Sequence, residues 1–427
     1  MKNLSKSKGL YNTAKDLTIG GVQTNFKHMY PHPIYFSKAD GSKVWDIDGN
    51  EYIDCVVGFG PCILGHGHPK VVEAVKQQLE TGLTVGLETE SSIQVCEKLA
   101  EMVPSAESVR LSNTGTEAVM HGIQMARAFT GRHRIVKVEG AYNGWYDDVL
   151  VSHSPPLSLA GPETSPNSVP DSGGLHSVDT LVIPFNDEHA AERTLKENRG
   201  QVAALIIEPI MFNIGCALPK EGYLKAIREI TEDNGVLLIF DEVRTGFRVA
   251  PGGAQQYYDV VPDLSVFAKA IANGFPLSAI VGSRDVMSLI DPVEGRVMYG
   301  GTYNGSQTAV AAANATLDIL STGKVQEKLN DASQGLIDSF GEIAEAKKIQ
   351  ARVQGLGGNF QVYFTDSPVA DYRSTFRIDA AKYIKFQQSM LEQGVYFWPS
   401  HLFCHGVSAS HSESDLDTII SIMRNAM

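Results

Sequence analysis

The pattern of apolar and polar positions changes character three times along the chain. Residues 34 to 57 alternate apolar and polar side chains around two turn signals, Asp40-Gly41 and Asp48-Gly49, which predicts an antiparallel meander. Residues 69 to 82 and 90 to 103 carry apolar side chains at helical spacing instead. From about 108 to 285, seven short runs (SVRLSN, RIVKVEG, DTLVIPF, VAALIIEPI, GVLLIFDEV, LSVFAK and SAIVGS) alternate with helical segments. Strands apolar throughout predict a parallel-rich sheet covered by helices on both faces, with functional side chains at the strands' carboxyl ends. Beyond about 306 the pattern turns helical, then alternates again near NFQVYFT and GVYFWPS, predicting a smaller C-terminal α+β unit. The reading divides the chain into an N-terminal segment with the meander (1–65), a large domain (66–310) and a small domain (311–427). Residues 153 to 176, rich in Ser, Pro and Gly, should form a long loop.

At 427 residues the chain is long enough to bury a sizeable pocket. A net charge of -13 without a basic stripe argues against nucleic acid, and no apolar run is long enough to cross a bilayer. The start, MKNLSKSKGLYNTAKDL, lacks the apolar core of a secretory signal, so a cytoplasmic location is expected. Five scattered cysteines show no metal-ligand spacing, and we expect reduced thiols and no metal.

Candidate chemistry begins with Lys269, a single ammonium among apolar residues in DLSVFAKAIANGFPLSAIVG. A lysine beside a core usually snorkels. A desolvated one instead favours the neutral amine that attacks a carbonyl and forms a Schiff base. In GVLLIFDEVRTGF a buried-looking strand ends at Asp241-Glu242, where a carboxylate either caps the next turn or meets a cationic partner such as the pyridine nitrogen of pyridoxal phosphate. In VRLSNTGTEAVM a strand runs into a helix whose first turn pairs Thr114 with Glu117 as a capping box. Gly115 and Thr116 stand there, where free N–H groups bind phosphate. Tyr142, after the strand KVEG, could stack on a flat cofactor or serve as core, and Gly301-Thr302 precede another helix.

The ordered motifs SNTGTEA, EGAYNG, IIEP, IFDEVRTGFR, PDLSVFAKAIANG and GTYNG closely resemble the class III aminotransferases of the type I pyridoxal phosphate fold, particularly the branch containing glutamate-1-semialdehyde aminomutase. The likeness covers nearly the whole chain. It implies an α/β fold, with a mostly parallel seven-stranded sheet in the large domain and a smaller α+β domain built from the N- and C-terminal segments. It implies pyridoxal 5′-phosphate, cycling through pyridoxamine 5′-phosphate, with Lys269 forming the Schiff base and Asp241 on the ring nitrogen. Val243 and Tyr142 would cover the two ring faces, and Thr114, Gly115 and Thr116 the phosphate. Asn143, Glu208 and Asn213 fall in cofactor-proximal segments, and Thr302 would reach the neighbouring subunit's phosphate in a homodimer. Small-molecule amine donors and carbonyl acceptors are then the expected partners.

Five positions depart from the aminomutase pattern: Thr24 and Lys27 replace its Ser and Arg, Phe403 its substrate-contacting Glu, Asn143 its His, and Phe275 adds bulk after the lysine. Lysine keeps the charge but loses the bidentate grip on a carboxylate. We therefore expect transfer between two molecules, onto a keto acid or an oxidised sugar such as an aminoglycoside precursor. The aminomutase is the alternative; a racemase or a non-catalytic binding protein ranks lower.

Overall fold

The computed structural model describes residues 2–173 and 179–427. Each of the seven runs holds one strand. After the meander strands β1 (Phe36–Asp40), β2 (Lys43–Asp46) and β3 (Glu51–Asp54) come β4 (Ser108–Ser112), β5 (Arg134–Val138), β6 (Thr180–Ile183), β7 (Val202–Ile207), β8 (Leu237–Asp241), β9 (Leu264–Phe267) and β10 (Ser278–Gly282). These seven form one sheet in the order β4-β10-β9-β8-β7-β5-β6. All pairings are parallel except those of β10, which is antiparallel to both neighbours.

The strands read as continuous apolar runs because both faces are covered. Ile206 and Ile239 pack with Ala118, Val119 and Ile123 of the helix Gly115–Thr130 on one side. Leu205, Ile207, Leu238 and Phe240 pack with Leu195, Leu224 and Ile227 of the helices Glu188–Glu197 and Tyr223–Asp233 on the other. Each such side chain, fully buried, contributes about 1.5–3 kcal/mol. This packing fixes the carboxyl ends of β7, β8 and β9 side by side.

The C-terminal region adds the hairpin β11 (Arg352–Leu356) and β12 (Asn359–Tyr363), then β13 (Val395–Tyr396) and β14 (His405–Gly406). β13 joins the meander, parallel to β3, and β14 pairs with β12. The Gly406 N–H also donates to the Cys55 carbonyl at 2.8 Å. These pairings lay residues 398–404 beside residues 55–60.

Two boundaries differ from expectation. The helix expected over 69 to 82 is Pro69–Leu79, which stops short of 82 because the chain turns through Thr81 to Gly82, whose φ is +125°. The second is Glu90–Met102, with Pro104 just beyond. Of the 153–176 loop, residues 174–176 lie outside the described residues. The rest is pinned by a bridge between Val151 and Pro170 and by Asp171, whose carboxylate accepts from the His153 N–H at 2.8 Å.

Candidate active site

Three neighbouring strand ends carry the charged groups. Asp241, the last residue of β8, is buried; one carboxylate oxygen accepts from Asn143 Nδ2 at 2.8 Å and the other from the Val243 N–H at 3.1 Å. Burial pushes its pKa up, while these two hydrogen bonds and Lys269 pull it back. Glu208, the residue after β7, is buried with no hydrogen-bond partner among the described residues on either carboxyl oxygen. Burial first, and the Asp241 charge second, push it up to about 7. Asn213 stands near enough to draw that value down, yet its amide hydrogen goes to the Tyr142 carbonyl at 3.3 Å.

Lys269 follows β9 by two residues with φ at +49°, a left-handed conformation that strains any residue but glycine. Its half-buried side chain lies in the cleft between these strand ends. Desolvation and the neighbouring Arg244 guanidinium hold its amine down to about 7, against the pull of Asp241 and Glu208. Much of the amine is therefore neutral near neutrality, the form that attacks a carbonyl.

The helix Gly115–Thr130 starts at the same end of the sheet. Its capping box forms as expected: the Glu117 N–H donates to Thr114 Oγ1 at 3.2 Å, and Glu117 Oε2 accepts from the Thr114 N–H at 3.0 Å. The Thr114 hydroxyl oxygen thus accepts the cap bond, with its own O–H left to donate. At Gly115 a Cβ would sit 2.9 Å from Val243 Cγ2, and at Gly144, with φ at +100°, one would sit 2.7 Å from Thr116 Oγ1. The loops bearing Gly115-Thr116, Tyr142-Gly144 and Val243 therefore converge only because glycine stands at both contacts. Tyr142 is half-buried, edge-on to Phe26 at 5.5 Å and to His153 at 5.2 Å.

Thr302 is placed apart. It is exposed and lines an open hollow of about 690 Å³ with His121 and Arg296, and no hydrogen bond among the described residues ties it to Thr116. Only its neighbour Asn304 reaches the cradle segment, accepting from Asn113 at 3.0 Å.

Buried polar atoms without partners are costly, and this cleft collects several: both Glu208 oxygens and Asn143 Oδ1. Together with a carboxylate at a strand end, a helix N-terminus approached through glycine and a depressed lysine amine, they fit a flat heteroaromatic cation carrying a phosphate and a reactive aldehyde.

The family model for aminotransferase class-III matches residues 25–427. The chain belongs to this family. It is 41% identical over 422 residues to the glutamate-1-semialdehyde 2,1-aminomutase of Methanocaldococcus jannaschii, covering 99% of this chain and 98% of the relative. Among solved structures it is similar to an ω-transaminase from Sphaerobacter thermophilus, with TM-score 0.94, 32% identity and 98% and 96% of the two chains covered. A transaminase with PLP bound matches at TM-score 0.90 and 29% identity, over 100% and 98%. The class, its enzymatic nature and the type I fold thus stand as expected. Between the two finer readings, the names of the curated relatives favour the aminomutase, which the sequence ranked second.

Several cleft residues of this class-III chain escaped sequence reading. Residues Val57, Gly58, Phe59 and Gly60 all take positive φ (+44°, +68°, +69° and +110°), and this strained run delivers Phe59 and Gly60 to the site. Phe59 meets Trp398 at 5.0 Å and Phe403 at 5.5 Å. Arg248 is fully buried and donates to the Gly60 carbonyl. The one available signal was GFG, a phenylalanine between two glycines. Of the departures noted above, Phe403 lies in the cleft, Phe275 packs against the core, and Thr24 and Lys27 flank Phe26 near Tyr142.

Proposed function

We infer that this class-III enzyme uses pyridoxal 5′-phosphate to move an amino group from an amine donor to a carbonyl acceptor. Bound in the cleft, the cofactor supplies an electron sink and an aldehyde exchangeable for an amine, with pyridoxamine 5′-phosphate as its other form. The chain's own residues do the rest. Lys269 would present a neutral amine to the aldehyde and would carry a proton to and from the substrate α-carbon. Asp241, oriented by Asn143, would hold the ring nitrogen protonated. Val243 and Tyr142 would hold the ring, and Gly115 and Thr116 the phosphate at the helix N-terminus, which the Thr114 cap fixes in place. Glu208 and Asn213 would line the same pocket.

Thr302 serves the neighbouring subunit in a homodimer. That assignment rests on its exposure and on the exposed Met298, Tyr303 and Leu87 of nearby segments, an apolar surface suited to a second copy. The enzyme acts in the cytoplasm, in keeping with five free cysteines and with the lack, among the described residues, of a helix long and apolar enough to cross a membrane.

Transfer between molecules rests on Phe403. It stands where the aminomutase pattern has a substrate-contacting Glu, and it packs on Phe59 at 5.5 Å with the Arg244 guanidinium 5.6 Å from its ring centre. An aromatic ring there removes a carboxylate from the substrate side. The names of the curated relatives favour a second reading, isomerisation within one molecule. Titrating the visible band of the purified holoenzyme with glutamate, alanine and 4,5-diaminovalerate separates the two. Bleaching by glutamate or alanine with equimolar keto acid released is the expected result. Response to diaminovalerate alone establishes the aminomutase, and loss of optical activity without keto acid a racemase.

A further inference from the structure

Arg244 is the cleft residue that the transfer chemistry leaves unused. Its guanidinium carbon lies 5.6 Å from the ring centres of both Phe212 and Phe403, within cation–π range on each. Of its five N–H donors, one reaches a hydrogen-bond partner among the described residues: Nη2 donates to the Cys404 carbonyl at a long 3.3 Å. No carboxylate among the described residues forms an ion pair with it. Gly60 joins it to the chemistry. A Cβ there would stand 3.7 Å from Arg244 Nε and Nη2 and 3.7 Å from Lys269 Cδ, so the guanidinium and the lysine stem border the same glycine. Arg248 holds that glycine's carbonyl from behind.

We propose that Arg244 is the specificity-determining anchor for a substrate carboxylate, with Phe59, Phe403 and Trp398 walling the apolar remainder of the substrate. The proposal rests on the transfer reading and names its substrate class: amino and keto carboxylic acids with an apolar or aryl group, rather than amino sugars. A single planar guanidinium within cation–π range of two aromatic rings matches a planar monoanion through paired N–H donors. Glu208 is near enough for Arg244 to stabilise its charge yet makes no direct ion pair with it, so the open donors are what such a ligand satisfies. Although the chain carries a net charge of -13, this wall of the cleft is cationic, with two guanidiniums flanking Gly60.

The test uses the holoenzyme and an acid that cannot react, 3-phenylpropanoate, with 3-phenylpropan-1-ol as its neutral counterpart, both followed by calorimetry. Wild type should bind the acid more tightly than the alcohol. Arg244→Met should raise the acid's Kd by about 10–100-fold and leave the alcohol's unchanged, and Arg244→Lys should recover only part of the loss. Equal binding of acid and alcohol by wild type, or a substitution that weakens both alike or neither, overturns the anchor. The wild-type comparison and Arg244→Lys decide the matter even where Arg244→Met fails to fold. Donor kinetics with phenylalanine and 2-phenylethylamine keep the two readings apart. If both react equally, transfer stands and the anchor falls; if neither reacts while the acid still binds through Arg244, transfer falls and the anchor stands.

Discussion

Glu208 and Glu242 each follow the last residue of one of two adjacent parallel strands and both are buried, but the register that sets Ile207 beside Phe240 puts Glu208 level with Asp241 and Glu242 one position beyond, on the other face. Their surroundings are opposite. Glu242 accepts from Thr245 Oγ1 and the Ala254 N–H, both at 2.7 Å, and from the Gln255 N–H at 2.9 Å. Gly253 admits this: its φ is +81°, and a Cβ would fall 2.5 Å from Glu242 Oε2. Glu208 has no hydrogen bond of good geometry among the described residues, with Asn213 as a polar neighbour. The first carboxylate meets its needs within the chain and holds the loop after β8. The second faces the cleft, in the company of Asp241 and Lys269. Burial alone therefore does not mark a functional acid; burial without satisfaction does.

The largest effect should come from the functional side of this contrast. Lys269→Ala should lower kcat by about 10³-fold or more, since it removes the group that moves the proton. Asp241→Asn should keep the cofactor and lose about 10²-fold, because a neutral amide no longer holds the ring nitrogen protonated. Multiple-turnover assays with the responsive donor check both, and multiple-turnover transfer by Lys269→Ala would remove the role assigned to that residue. On the structural side, Glu242→Ala leaves three donors buried without an acceptor. It should lower unfolding free energy by about 3 kcal/mol or more, read from denaturant midpoints.

Glu208 sharpens the comparison through pH. Its folded pKa of about 7 lies above that of an exposed glutamate, so between about 4.5 and 7 the folded cofactor-free protein binds more protons than the unfolded chain. Its contribution to stability accordingly falls as pH rises through that window and is level above it. Glu208→Gln should remove this slope, gaining on wild type by up to about 3 kcal/mol at pH 8 and nothing at pH 4. Parallel stability curves for the two proteins from pH 4 to 8 would show that the carboxyl is better solvated than its burial implies.

What could be read before the structure, and what could not, divides along the same line. The seven strands were legible because both faces are covered and the apolar runs are unbroken, and Lys269, Asp241 and the Thr114–Glu117 box sit at the ends of those runs. The aromatic wall was not. Phe59 and Phe403 lie 344 positions apart and meet only because β13 joins β3 and β14 joins β12. No local pattern records such a pairing. Arg244 was in plain sight inside IFDEVRTGFR, but its significance depends on making no ion pair with any carboxylate among the described residues, which only the fold reveals.

The smallest effect distinguishes two neighbouring threonines. Thr114 was grouped with the phosphate residues, yet its hydroxyl accepts from the Glu117 N–H. Thr116 instead lies against Gly144, where a Cβ on the glycine would be 2.7 Å from its hydroxyl, at the meeting of the cradle and the Tyr142 loop. Thr114→Ala should cost about 1 kcal/mol of stability through the lost cap, with cofactor affinity nearly unchanged. Thr116→Ser keeps the hydroxyl and should be close to silent, whereas Thr116→Val should weaken cofactor binding several-fold with little change in the apo thermal midpoint. Thermal melts of the apo forms and cofactor titrations of the holo forms read the two effects independently. The reverse assignment, affinity lost at Thr114 and stability at Thr116, would mean that the cap opens when phosphate binds and that the hydroxyl of Thr114 changes partner.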